Sequence, residues 1–97
     1  MAEVIKLGGG IELKGFLEID GGTMIILKKI IGSYSRKFSD NLKEFEKLVL
    51  ELNQQGEESE VFGTLVVGEK EKTAKIVDKN LFVAVDKVLK AVEREVL

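Results

Sequence analysis

The chain has 97 residues, enough for one hydrophobic core but not two, so a single domain over residues 1–97 is expected. Hydrophobic residues at 44% and charged residues at 33% place it among folded globular chains, and the lack of cysteine and histidine excludes disulfides, thiolate chemistry and the common zinc sites. Fifteen basic residues against 17 acidic ones leave a net charge of −2, which argues against indiscriminate nucleic-acid binding but leaves room for a local basic stripe.

No apolar run approaches the ~20 residues that span a bilayer. Met1–Leu7 also lacks the basic-then-apolar order of a secretory signal. A cytoplasmic protein with no membrane partner is therefore expected.

Val4 to Leu7 is a short apolar run stopped by Gly8-Gly9-Gly10, three residues free to take positive φ. From Ile11 to Asp20 the chain alternates: Ile11, Leu13, Gly15, Leu17 and Ile19 share one face, and Glu12, Lys14, Phe16, Glu18 and Asp20 the other. That period of two predicts a strand. Residues 4–7 and 11–20 form either a hairpin or one kinked strand. From Thr23 the period becomes helical, with Leu27, Ile30, Ile31, Tyr34 and Phe38 on one stripe and Thr23 as the candidate N-cap. Ile25 and Ile26 fall outside the stripe and leave a strand open as the alternative for this start. Gly32 lies mid-helix at a cost of about 1 kcal/mol relative to alanine.

Over residues 40–55, Leu42, Phe45, Leu48, Val49 and Leu52 share a helical face, so the pattern favours a helix. Leu48, Leu50 and Leu52 also share a strand face, and the helical stripe leaves Leu50 out. Glu60–Val67 reads as a strand, Gly68-Glu69-Lys70 as a turn, and Glu71–Val77 as the returning strand of a hairpin. Asp78 or Asn80 can cap the last helix, where Leu81, Val85, Val88, Leu89, Val92 and Val96 form the clearest apolar stripe in the chain.

The glycine clusters lack the Gly-Lys-Ser/Thr and G-x-G-x-x-G patterns of nucleotide loops, so they read as turns and no cofactor is implied. Neighbouring carboxylates such as Glu44/Glu46 and Glu57/Glu58 sit in charged surroundings and read as solvated surface, which nominates no catalytic residue. The basic residues carry more information. Lys87, Lys90 and Arg94, spaced i, i+3, i+7, form a stripe away from the apolar face of the last helix. In the first helix Lys28, Lys29 and Arg36 lie away from Leu27, Ile31 and Phe38, with Lys37 at the margin. Two helices on one sheet face would set these stripes side by side. The plainer reading is an ordinary solvated helix face, with Asp86, Glu93 and Glu95 diluting the second stripe.

The stretch Val67–Asp86 resembles the small domain of the ribosome hibernation-promoting and ribosome-associated inhibitor family. Val67, Gly68, Lys70, Ala74, Asn80, Leu81, Phe82, Ala84, Val85 and Asp86 meet that family's last-strand and last-helix pattern without a gap. The resemblance implies an α+β fold of order β-α-β-β-β-α, akin to the double-stranded-RNA-binding domain. Its mainly antiparallel sheet would carry both helices on one face, with an extra N-terminal strand or hairpin here. It also implies a strand over residues 44–53. In function it implies a non-catalytic module that occupies the small ribosomal subunit, meeting ribosomal RNA through Lys28, Lys29, Arg36, Lys37, Lys87, Lys90 and Arg94. A second expectation keeps the fold without an RNA role: a protein-interaction domain forming a homodimer through a sheet edge or face. Phe16 and Phe62, on the polar sides of their strands, are its support.

Overall fold

Glycine decides where the first strands turn. The structure, a computed structural model, describes residues 4–96. Met1–Glu3, part of the stretch weighed as a signal sequence, and Leu97 lie outside the described residues. Strands β1 (Val4–Gly8) and β2 (Ile11–Lys14) form an antiparallel hairpin. Gly9 and Gly10 close it with φ of 58° and 83°, the mirror-image turn whose twist matches the strands. Of the two arrangements open to residues 4–20, the hairpin is found.

β2 is shorter than the alternation over Ile11–Asp20 predicts. At Gly15 the chain takes φ 78°, and a Cβ there would fall against the carbonyl oxygen of Leu52. The strand stops, its parity is lost, and Phe16 turns into the core with 1% exposure instead of facing solvent. The Ile19 amide donates to the Phe16 carbonyl at 3.1 Å and closes the loop.

Helix α1 (Gly21–Asn41) begins ahead of Thr23, because Asp20 is its N-cap. The Asp20 carboxylate accepts from the Thr23 amide at 3.1 Å and the Thr23 hydroxyl at 2.6 Å. The hydroxyl bond first, then the amide bond, holds that carboxyl below its usual value. Met24, Leu27, Ile31, Ser35 and Phe38 are buried, while Ile25 and Ile26 stay exposed, which is why they broke the stripe.

Strands β3 (Phe45–Gln55), β4 (Glu58–Val67) and β5 (Lys70–Asp78) follow as an antiparallel meander. Pattern alone favoured a helix over residues 40–55; a strand is found. Leu48, Leu50 and Leu52 face inward, opposite Leu65, Gly63 and Val61 of β4. Burial of that leucine row outweighs local periodicity. β2 pairs with β3 in parallel across α1, the other pairings are antiparallel, and the sheet order is β1-β2-β3-β4-β5. The architecture is thus α+β, of order β-β-α-β-β-β-α.

Helix α2 (Leu81–Val96) is capped by Asn80, whose side-chain oxygen accepts from the Phe82 and Val83 amides at 2.9 and 3.3 Å. Asp78 in turn accepts the Asn80 amide at 2.9 Å. α2 buries Ala84, Val85, Val88, Leu89 and Val92. It descends onto β4 at Gly63, where a Cβ would lie 3.1 Å from Val88 Cγ2 and 3.6 Å from Val92 Cγ1. The inward strand residues and both helices share one core, which leaves the opposite sheet face open. Among the described residues no helix is long and apolar enough to cross a membrane.

Gly63→Val is expected to force α2 away from β4 and to cost about 1–3 kcal/mol of stability by overpacking. Urea unfolding checks this; an unchanged midpoint would show that α2 does not rest on that glycine.

Candidate nucleic-acid interface

The amphipathic spacing that buries one face of each helix turns the basic residues outward, and the structure then sorts them by partner. Where α1 meets α2, the Tyr34 hydroxyl donates to Asp86 Oδ1 at 3.3 Å, and Lys90 Nζ lies 2.9 Å from Asp86 Oδ2. One turn further on, Lys37 Nζ sits 2.6 Å from Glu93 Oε2. That carboxylate oxygen is buried without a regular hydrogen bond, so the Lys37 ammonium is its compensating contact. Lys87 reaches toward Asp78 at 3.7 Å, a loose surface pair. Lys28, Lys29, Arg36 and Arg94 are exposed and form no salt bridge among the described residues.

Where the stripes expected side by side approach each other, acidic residues stand between them, with Lys37 paired to Glu93 and Lys90 to Asp86. Arg36 lies on the β1 flank of α1, lining an open cavity with Leu7, Gly8 and Gly9. Lys87, Lys90 and Arg94 rim a cleft of about 310 Å³ over Ile76 of β5 and Ala91. Between the flanks runs the charge-paired seam of Tyr34, Asp86, Lys37 and Glu93. Sequence reasoning took Glu93 only as dilution of a basic stripe, and Asp86 as that and as part of the last-helix pattern. Their partners across the seam depend on how the helices dock, which helical spacing within one element does not encode.

The remaining chemistry is sparse. Among the described residues no three His, Cys, Asp or Glu side chains group as a metal site. Glu44, Glu46, Glu57 and Glu58 are exposed. On the open sheet face Phe62 is 40% exposed, with Lys75 Nζ 5.8 Å from its ring centroid. What the helix flanks offer is exposed positive charge, the kind of group that meets phosphate along a nucleic-acid backbone.

No protein-family model matches the sequence, and no curated protein matches it. The structure is similar to a ribosomal subunit interface protein from Coxiella burnetii, with TM-score 0.65 and 10% identity over 81% of this chain and 82% of that one. It is similar also to the N-terminal domain of Protein Y from Thermus thermophilus, with TM-score 0.62 and 16% identity over 81% of this chain and 83% of that one. At these identities the likeness is one of fold.

The seam can be read spectroscopically, because Tyr34 is the one tyrosine and there is no tryptophan. Burial first, then the charge and hydrogen bond of Asp86 and the charge of Glu93, push the Tyr34 phenol up to about 12. A folded value above the ordinary 10.0 means that its stabilising share is complete below pH 10 and is lost as pH rises toward 12. Absorbance titration of the folded protein is expected to give a midpoint near 12, moving toward 10 in Asp86→Asn. A parent midpoint near 10 would show that the seam is not formed.

Proposed function

We propose that the protein is a non-catalytic, single-domain cytoplasmic module that binds the small ribosomal subunit or structured RNA and acts by occupying its surface. The observation that carries this reading is the fold shared with a ribosomal subunit interface protein, seen together with cations held outward on both helix flanks. Lys28, Lys29, Arg36 and Arg94, which form no salt bridge among the described residues, are the principal phosphate contacts. Lys37, Lys87 and Lys90 must loosen an internal pair to take part, so they contribute less. With an overall charge of −2, affinity has to come from these local patches rather than from the field of the whole molecule.

Co-sedimentation with purified small subunits tests the reading. Binding is expected at low salt and is lost as salt rises. Replacing Arg36 or Arg94 by alanine should each reduce the slope of log K against log salt by about 0.9. Lys87→Glu, Lys90→Glu and Arg94→Glu together should abolish binding. Salt-insensitive binding, or none at low salt, overturns the proposal.

A second reading, a homodimer through the open sheet face, keeps one of its two supports. Phe16 belongs to the core, but Phe62 remains exposed, on the same face as Val4 and Val77. Light scattering decides it, since a strict monomer at high concentration rejects the homodimer.

A further inference from the structure

The two edges of the sheet are unequal. β1 is five residues long, its register slips between Lys6 and Gly8, and the glycine turn follows at once, so it offers little to another strand. β5 runs nine residues in unbroken register with β4, and no bulge, proline or positive φ interrupts it. It has β4 on one side and no strand on the other. Among the described residues, none of the hydrogen bonds outside the regular ladders reaches a β5 amide or carbonyl. A row of outward backbone groups along β5 is thus unpaired, and an added strand is the structure that satisfies such a row.

Beside this edge lies the cleft of about 310 Å³ between β5 and α2. Its floor is Ile76 and Ala91, both half-buried, and its rim is Lys87, Lys90 and Arg94. Because side chains alternate along a strand, one added to β5 would aim every second side chain into the cleft. The others would lie on the open face, beside the exposed Val77.

Charge selects the occupant. β5 carries three lysines against two acids, and Arg94 forms no salt bridge among the described residues. Two β5 edges paired antiparallel about a two-fold axis would set their α2 helices on the same sheet face. Each rim of Lys87, Lys90 and Arg94 would then turn toward its own copy, and like charges so placed oppose self-association. A strand that bears carboxylates meets no such opposition and gains charge-assisted bonds to the rim. A nucleic-acid backbone supplies anions but no peptide groups, so it would leave the β5 row unpaired.

We propose that the β5 edge and the α2 cleft dock an extended acidic segment of a partner protein. The segment extends the sheet beyond β5 and directs carboxylates at Lys87, Lys90 and Arg94. This partner goes beyond the RNA reading above: the two share the rim cations and differ at the β5 backbone.

The test uses the full chain and a labelled peptide that alternates valine and glutamate over the length of β5. Fluorescence anisotropy measures affinity, and amide hydrogen exchange follows the outward amides of β5. The glutamate peptide is expected to bind at low salt and to slow exchange along β5. A peptide with lysine in place of glutamate, and the glutamate peptide with all its amides N-methylated, should each bind about tenfold more weakly or worse. Arg94→Glu, at an exposed position, should weaken the glutamate peptide by about tenfold. A glutamate peptide that does not bind, or that binds no better than its N-methylated form, overturns the proposal. A peptide-free dimer whose outward β5 amides already exchange slowly gives the edge to a second copy and also overturns it. An RNA oligonucleotide that binds where the glutamate peptide does not leaves the rim to nucleic acid, which overturns the proposal and keeps the RNA reading.

Discussion

The arrangement depends on one close approach, α2 lying on β4 at Gly63. The absence of a side chain there lets Val88 and Val92 reach down to the sheet beside Leu50, and Ala84 keeps the start of the helix close. From that contact the rest follows mechanically. The short Asp78–Asn80 cap has no freedom to aim α2 elsewhere, since Asp78 holds the Asn80 amide and Asn80 holds the first helical amides. With the axis and rotation of α2 set, Lys87, Lys90 and Arg94 must stand over Ile76 and β5, and Asp86 and Glu93 must face α1. The charge pattern of the surface is thus a consequence of packing in the core.

Docking two helices side by side brings their polar margins into contact, and the chain resolves this with opposite charges and one phenol. The pairs themselves are worth little individually, because exposed ion pairs are screened and entropically costly. Their effect is better seen as a division of labour. Cations near the seam are occupied by Asp86 and Glu93, whereas Lys28, Lys29, Arg36 and Arg94 form no such pair among the described residues. A protein of net negative charge can in this way present positive charge on two flanks while keeping weak indiscriminate affinity for polyanions.

Legibility in the sequence tracked how local each determinant is. α2 and the β4–β5 hairpin were plain, since their apolar spacing, their turn glycine at Gly68 and their cap at Asn80 are all contained within the elements themselves. β3 was obscured, because Phe45, Leu48 and Leu52 satisfy a helical period as well as a strand's, and only pairing with β4 decides between them. Phe16 was assigned to the wrong side, because alternation was carried through Gly15, where a positive φ ends it. The basic residues were found by spacing, but the Lys37–Glu93 and Tyr34–Asp86 contacts between α1 and α2 join distant segments that spacing within one element does not reveal.

Glycine links these observations. Gly9, Gly10, Gly15 and Gly68 hold positive φ, and Gly63 admits a helix, so each answers a constraint visible in the backbone or in a neighbour. A locally unfavourable residue normally has such a reason. Gly21 and Gly32 lie within α1 without a positive φ, and a Cβ on either would meet nothing within 4 Å, so α1 bears their cost in helix propensity with no turn or close approach to call for it. α2 holds no glycine, and its apolar stripe is accordingly the more conspicuous of the two in the sequence.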